Sequence, residues 1–189
     1  MDKALLITTT VTVCLAFLGY VMTYTNNLRL AQRAERLARV NRQLSEFYGP
    51  VLAMSHATRE AWDAFRSEYR AQGGSYWDPK NPPSEEEARV YRIWMSTVFI
   101  PINLRVYELV LSKADLLMES QMPESLLQFC AHVASYQAML KRWESNDFAQ
   151  NTSLVRHPRK ALEAYLHDSF LALKSEQAEL LARTPGRRH

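Results

Sequence analysis

ALLITTTVTVCLAFLGYVMTY, residues 4–24, contains no Asp, Glu, Lys or Arg. As a helix rising ~1.5 Å per residue it would cover roughly 30 Å, the thickness of a bilayer's hydrocarbon core. The stretch therefore predicts a membrane-spanning helix. A cleavable secretory signal would carry a shorter apolar core and a small-x-small cleavage site. Here Val21-Met22-Thr23-Tyr24-Thr25 puts bulky residues at that place. A lipoprotein signal needs a small residue just before its cysteine, and Cys14 follows Val13.

The flanks suggest an orientation. Asp2 and Lys3 precede the span, whereas Arg29, Arg33, Arg36, Arg39 and Arg42 follow it, opposed only by Glu35. Lys and Arg beside a span stay on the cytoplasmic side. The expected topology is a single pass through a bacterial inner membrane, amino terminus out and the rest cytoplasmic, with these arginines against anionic lipid headgroups. The chain carries a net charge of +3, but residues 44–182 hold 14 Lys and Arg against 18 Asp and Glu, a net of −4. Positive charge is thus confined to the juxtamembrane segment and the tail, a membrane-facing arrangement and not a nucleic-acid stripe. Cys14 in the span and Cys130 in an apolar stripe provide no disulfide framework.

Small and hydroxyl residues, among them Gly19 and Thr23, recur three and four apart within the span, a pattern used for close helix approach in lipid. The same step continues through Leu30, Leu37, Val40, Leu44 and Phe47 at heptad-like spacing. Residues 25–48 therefore read as a juxtamembrane helix continuing the span. Its seam serves either a parallel homo-oligomer or docking onto the chain's own helices.

Residues 49–183 read as a cytoplasmic helical region, and 184–189 as a basic disordered tail. Gly49-Pro50 punctuates the first helix, because proline lacks a backbone donor and crowds the preceding turn. Val51–Ala71 carries Trp62, Phe65 and Tyr69 along one side, a core stripe in the first instance. Gln72–Pro83 breaks the helix, yet includes Tyr76 and Trp77, which fold back as a lid or face a partner. Ser84-x-x-Glu87 is a capping box opening a helix toward Met118, kinked at Pro101. Arg105 and Glu108, three apart on it, are placed to pair. Pro123 suits the first position of the next helix, whose stripe is Phe129, Val133, Tyr136, Leu140 and Trp143. Pro158 opens the last. With no alternating strand pattern, the fold class is all-α: a single transmembrane helix running into a juxtamembrane helix, then an antiparallel bundle of four to five helices with proline kinks.

Catalytic signatures are missing. No Glu-x-x-His pair suits a di-iron bundle, and no glycine loop precedes Gly-Lys-Ser/Thr. Cys130 and His132, two apart on a helix, point roughly 200° from one another and form no dyad. The expectation is a non-enzymatic chain with no cofactor and no metal.

Leu44-Ser45-Glu46-Phe47-Tyr48-Gly49-Pro50-Val51-Leu52, Ala61-Trp62-x-x-Phe65-Arg66, Trp94-Met95-x-x-Val98-Phe99-x-Pro101-x-Asn103 and Cys130-Ala131-His132-Val133 occur in that order. Together they resemble a group of small bacterial proteins that combine an amino-terminal span with a helical region. The resemblance implies that the body is one domain and implies no particular activity.

Two functions remain. In the first, the cytoplasmic domain mediates protein–protein interaction as a scaffold, accessory subunit or signal coupler, its partner being another copy or another membrane or cytoplasmic protein. In the second, it is a ligand-responsive sensor or effector, with Trp62, Trp94 and Trp143 lining a pocket beside Arg105 or His132. A cavity of metabolite size favours the second, and a filled core the first.

Overall fold

The computed structural model describes residues 3–70 and 75–182. The expected tail at 184–189 and the Gly73-Gly74 pair lie outside them. The fold is all-helical, with no strand among the described residues. The helices are α1 (Lys3–Arg42), α2 (Gly49–Tyr69), α3 (Glu85–Trp94), α4 (Ile100–Ser112), α5 (Glu124–Glu144) and α6 (Arg159–Ala182). Ser84 caps α3 as its spacing predicts: its hydroxyl accepts from the Glu87 amide, and the Glu87 carboxylate accepts from the Ser84 amide. Pro123 and Pro158 each stand one residue ahead of their helices, so neither takes the first helical position expected for Pro123.

The two internal prolines end neither helix. A π-helical turn, Gln43–Tyr48, joins α1 to α2 just before Pro50, and another, Met95–Phe99, joins α3 to α4 just before Pro101. In both, the residue preceding the proline donates its amide five residues back: Gly49 to the Leu44 carbonyl and Ile100 to the Met95 carbonyl. The wider winding makes room for a ring that would otherwise meet the carbonyl four residues earlier. Ser96 and Thr97 add hydroxyl donors to the Arg92 and Ile93 carbonyls at 2.9 and 2.6 Å.

Gly49 is fixed by this winding. A Cβ there would lie 2.5 Å from the Leu44 carbonyl oxygen, a backbone atom that cannot swing aside. Gly49→Ala should lower stability by about 1–3 kcal/mol, the usual cost of forced overpacking. Thermal melting of the full chain checks this against Ala53→Gly, on an exposed face of the same helix. An alanine variant that melts with the wild type would show that the turn has relaxed to α winding.

Two compact units make up the chain: residues 1–41 with 176–189, and residues 42–175. In the first, the side chains of Ile7, Val13, Phe17, Leu18, Tyr20 and Met22 are more than half exposed. Two helical stretches, Ile7–Tyr69 and Glu85–Ser112, are long and apolar enough by composition to cross a membrane. The apolar window of the first is wholly exposed, whereas a third of the second's is buried. Toward the end of α1, Arg33 donates to the Leu180 carbonyl, Arg36 pairs with Glu176, and Gln177 donates to the Asn41 side chain at 2.6 Å.

In the second unit α4 packs against both α2 and α5. An aromatic cluster fills one part of the core: Phe65, 1% exposed, is ringed by Trp62, Tyr69, Tyr76, Tyr91, Trp94 and Phe99 at centroid distances of 5.2–6.4 Å. Tyr76 brings its loop into this cluster, donating its hydroxyl to the Glu87 carbonyl at 2.8 Å, with Arg66 and Arg70 over its ring. Another part is built on Tyr48, which is fully buried. There the Met118 amide donates to Tyr48, Tyr48 to Tyr165, and Tyr165 to the Glu119 carboxylate, all at 3.0–3.1 Å. Burial, together with its place beside Tyr48 and Glu119, pushes the Tyr165 phenol well above its ordinary range.

A candidate ligand cavity in the helical body

The α2 face that carries Trp62 also carries Ser55, Thr58 and Arg59, since these positions recur three and four apart. Opposite them stand Tyr91, Met95 and Phe99 from α3 and the second π turn, with Asn103 and Val106 from α4. Phe129, His132 and Tyr136 face inward from α5, and Arg159, Leu162 and Glu163 from α6. Between these elements is a cavity of about 370 Å³. Small-molecule sites are commonly about 300–1,000 Å³, mostly apolar with a few convergent polar groups, and this one fits that description.

The segment between α5 and α6 supplies the last wall. Two residues past the end of α5, Asn146 has a φ of 57°, the left-handed conformation that asparagine tolerates better than most residues. The Asn146 amide returns to the Trp143 carbonyl and the Asp147 amide to the Arg142 carbonyl, each at 3.0 Å, so these two carbonyls in the last turn of α5 are satisfied. The Trp143 indole donates to the Gln150 carbonyl at 2.9 Å, and Arg142 holds Asp147 at 2.8 Å. Ser135 donates to the His132 carbonyl at 2.9 Å and accepts from the Ser153 hydroxyl. So fastened, the segment presents Arg156 and His157 to the cavity.

His132 is 5% exposed, and its Nδ1 lies 2.6 Å from the Val155 carbonyl oxygen. A carbonyl can only accept, so Nδ1 bears the proton. Burial lowers the basicity of this ring. The His157 ring sits 4.9 Å from that of His132 at 78°, and its Nδ1 has no hydrogen-bond partner. Burial, the neighbouring His132 and Arg159 together lower His157 to about 4. Both imidazoles are therefore neutral at neutral pH. Cys130, half-buried on α5, has its thiol pushed up by burial and does not line the cavity.

The residues singled out from the sequence are divided by the structure. Trp62 and His132 line the cavity. Trp143 is buried in the aromatic core with Trp94 packed against that core, and Tyr76 is 4% exposed with Trp77 partly covered beside it. Arg105 is exposed and stands away from the cavity, and among the described residues the expected Arg105–Glu108 ion pair is absent. Along the seam, Gly19, Thr23 and Leu30 are exposed and Leu37 is half-buried. Val40, Leu44 and Phe47 are covered by this chain itself, at 2%, 9% and 0% exposure. Of the five arginines, Arg29 and Arg39 remain exposed, Arg33 and Arg36 bond within the first unit as described, and Arg42 reaches Glu46 at 3.4 Å.

Sequence reasoning missed Arg156, His157, Arg159 and Glu163. Their signal was present but weak: a histidine flanked by arginines just before a helix opened by Pro158. No protein-family model, curated protein or solved structure matches this chain.

Proposed function

We propose that this is a single-pass membrane protein whose helical body binds a small molecule in the cavity between α2, α4, α5 and α6, as a sensor or effector. The cavity carries the reading. A core filled by its own side chains would have suited a scaffold better, whereas about 370 Å³ lined by Trp62, His132 and Tyr136 suits a ligand. The anchor is the apolar, exposed first part of α1. Its arginine-rich sequel supports a cytoplasmic body in a bacterial inner membrane.

A thermal-shift screen of the detergent-solubilised full chain against small amphipathic molecules tests the cavity. A ligand at 100 times its Kd stabilises by about 2.7 kcal/mol. Hits should raise the melting temperature of the wild type and leave Thr58→Trp, which fills the cavity, unmoved. Hits that act equally on both proteins would remove the cavity from the mechanism. For topology, alkaline phosphatase fused after residue 45 should be inactive in the periplasm, and activity there would reverse the orientation.

Self-association is a second reading, favoured by two observations: a Cβ at Gly19 would meet nothing within 4 Å, and Leu30 is 46% exposed. In a background lacking Cys14 and Cys130, a cysteine at Leu30 should crosslink in membranes, and one at Phe47, fully covered, should not. Equal crosslinking at both would mean that the covered part of the seam opens in the membrane.

A further inference from the structure

The cavity combines an aromatic wall with a surplus of positive charge. Trp62 and Phe99 meet nearly edge to face at 5.4 Å, and Phe129 lines the same space. Among the described lining residues there are three arginines and one carboxylate, Glu163. That carboxylate lies 3.8 Å from both Arg59 and Arg159. Arg59 also pairs with Glu60, and Arg159 with Asp63, each at 2.8 Å. Arg156 is different. It is an exposed guanidinium at the cavity wall, and among the described residues it forms no ion pair. Next to it, His157 Nδ1 lacks any hydrogen-bond partner.

Resting on the reading of this cavity as a ligand site, we infer that it takes a carboxylate-headed apolar molecule, its head on Arg156 and His157 and its body against Trp62, Phe99 and Phe129. Size follows from a comparison: an apolar cavity of about 150 Å³ holds benzene, so about 370 Å³ admits a body roughly two to three times as large. A guanidinium matches a carboxylate in planar, two-pronged geometry. His157 needs no added proton, because a neutral imidazole still carries one N–H donor. Beside burial, the Arg159 guanidinium weakens its basicity, and that positive charge is one a carboxylate would offset. Glu163 is balanced in charge by Arg59 and Arg159 at 3.8 Å, although its buried Oε1 accepts no hydrogen bond from either.

The test compares three probes with one body: 4-phenylbutyrate, 4-phenylbutanol and 4-phenylbutylamine, titrated calorimetrically into the full chain in detergent. The carboxylate should bind at least tenfold more tightly than the alcohol, the usual worth of a hydrogen bond to a charged group. Arg156→Gln should erase that preference, and Arg105→Gln, outside the cavity, should retain it. Equal binding of carboxylate and alcohol would overturn the anion preference while leaving the cavity a ligand site. Tightest binding of the amine would overturn it in favour of Glu163 as the head's partner. No heat from any probe at millimolar concentration would overturn both the preference and the ligand site for molecules of this size.

Discussion

Phe65→Ala should cost about 3–5 kcal/mol and lower the melting temperature of the full chain by roughly 10 °C or more. Phe65 is 1% exposed and touches six other aromatic rings drawn from α2, the Tyr76 loop, α3 and the second π turn. Truncation removes its burial and leaves a hole among rigid rings that cannot easily collapse, which places the cost at the upper end of the range. Edge-to-face and offset ring contacts add ~0.5–1.5 kcal/mol each beyond burial, though not additively. Phe148 is the control. It is 40% exposed, with the Arg92 guanidinium 4.2 Å from its ring centre, a contact worth about 0.5–1 kcal/mol at an exposed site. If Phe65→Ala melted no lower than Phe148→Ala, the ring cluster would not be the centre of stability in this unit.

Acidification from pH 6.5 to 4 should destabilise the body by up to ~3 kcal/mol through His157. An unfolded histidine titrates near 6.5, whereas the folded ring titrates at about 4. Between those values the unfolded chain binds a proton that the folded chain does not, so stability rises with pH across the window and is lost as pH falls. The gap corresponds to ~3 kcal/mol as an upper figure. Other groups are separable by where they act. Glu46, Glu86, Glu87 and Asp147 are held below their ordinary carboxylate values by their partners, so their contributions fade only below about pH 4.5. His132 is lowered too and adds in the same direction. Melting temperatures of wild type and His157→Asn between pH 7 and 4.5 should diverge, the variant having the flatter profile. Parallel profiles would show that His157 titrates alike in the folded and unfolded chains.

The all-helical class, the Ser84 cap and the long apolar opening stretch were legible because each depends on residues close in sequence. So was Phe65, a large apolar side chain at the centre of its stripe. Trp62 shares that stripe and the same expectation of burial, yet it stands at the edge of a space. Nothing in a 3.6-residue period distinguishes a wall from a filling, because the difference lies in how far the facing helices stand apart. The positive end of the cavity was hidden for another reason. Arg156 and His157 come from an irregular segment, and its course is fixed by contacts such as Trp143 to Gln150 and Ser135 to Ser153, which join residues 7 and 18 positions apart. Gly49-Pro50 and Pro101 were legible as punctuation, but the form of the punctuation was not. Proline chemistry allows a break, a bend or a wider turn, and the choice was wider winding.

That choice changes how the chain tolerates altered length. A π turn holds one residue more than the α turn it replaces, and each residue of α winding rotates the helix by about 100°. Deleting Thr97, an exposed member of the second π turn, would therefore return that turn to α winding and leave Asn103 and Val106 in the cavity wall they now form, whereas a deletion within the α winding just ahead of them would swing them out of it. At this position the chain can lose one solvent-facing residue and still keep the phase of the helix that follows, and with it the shape of the binding space.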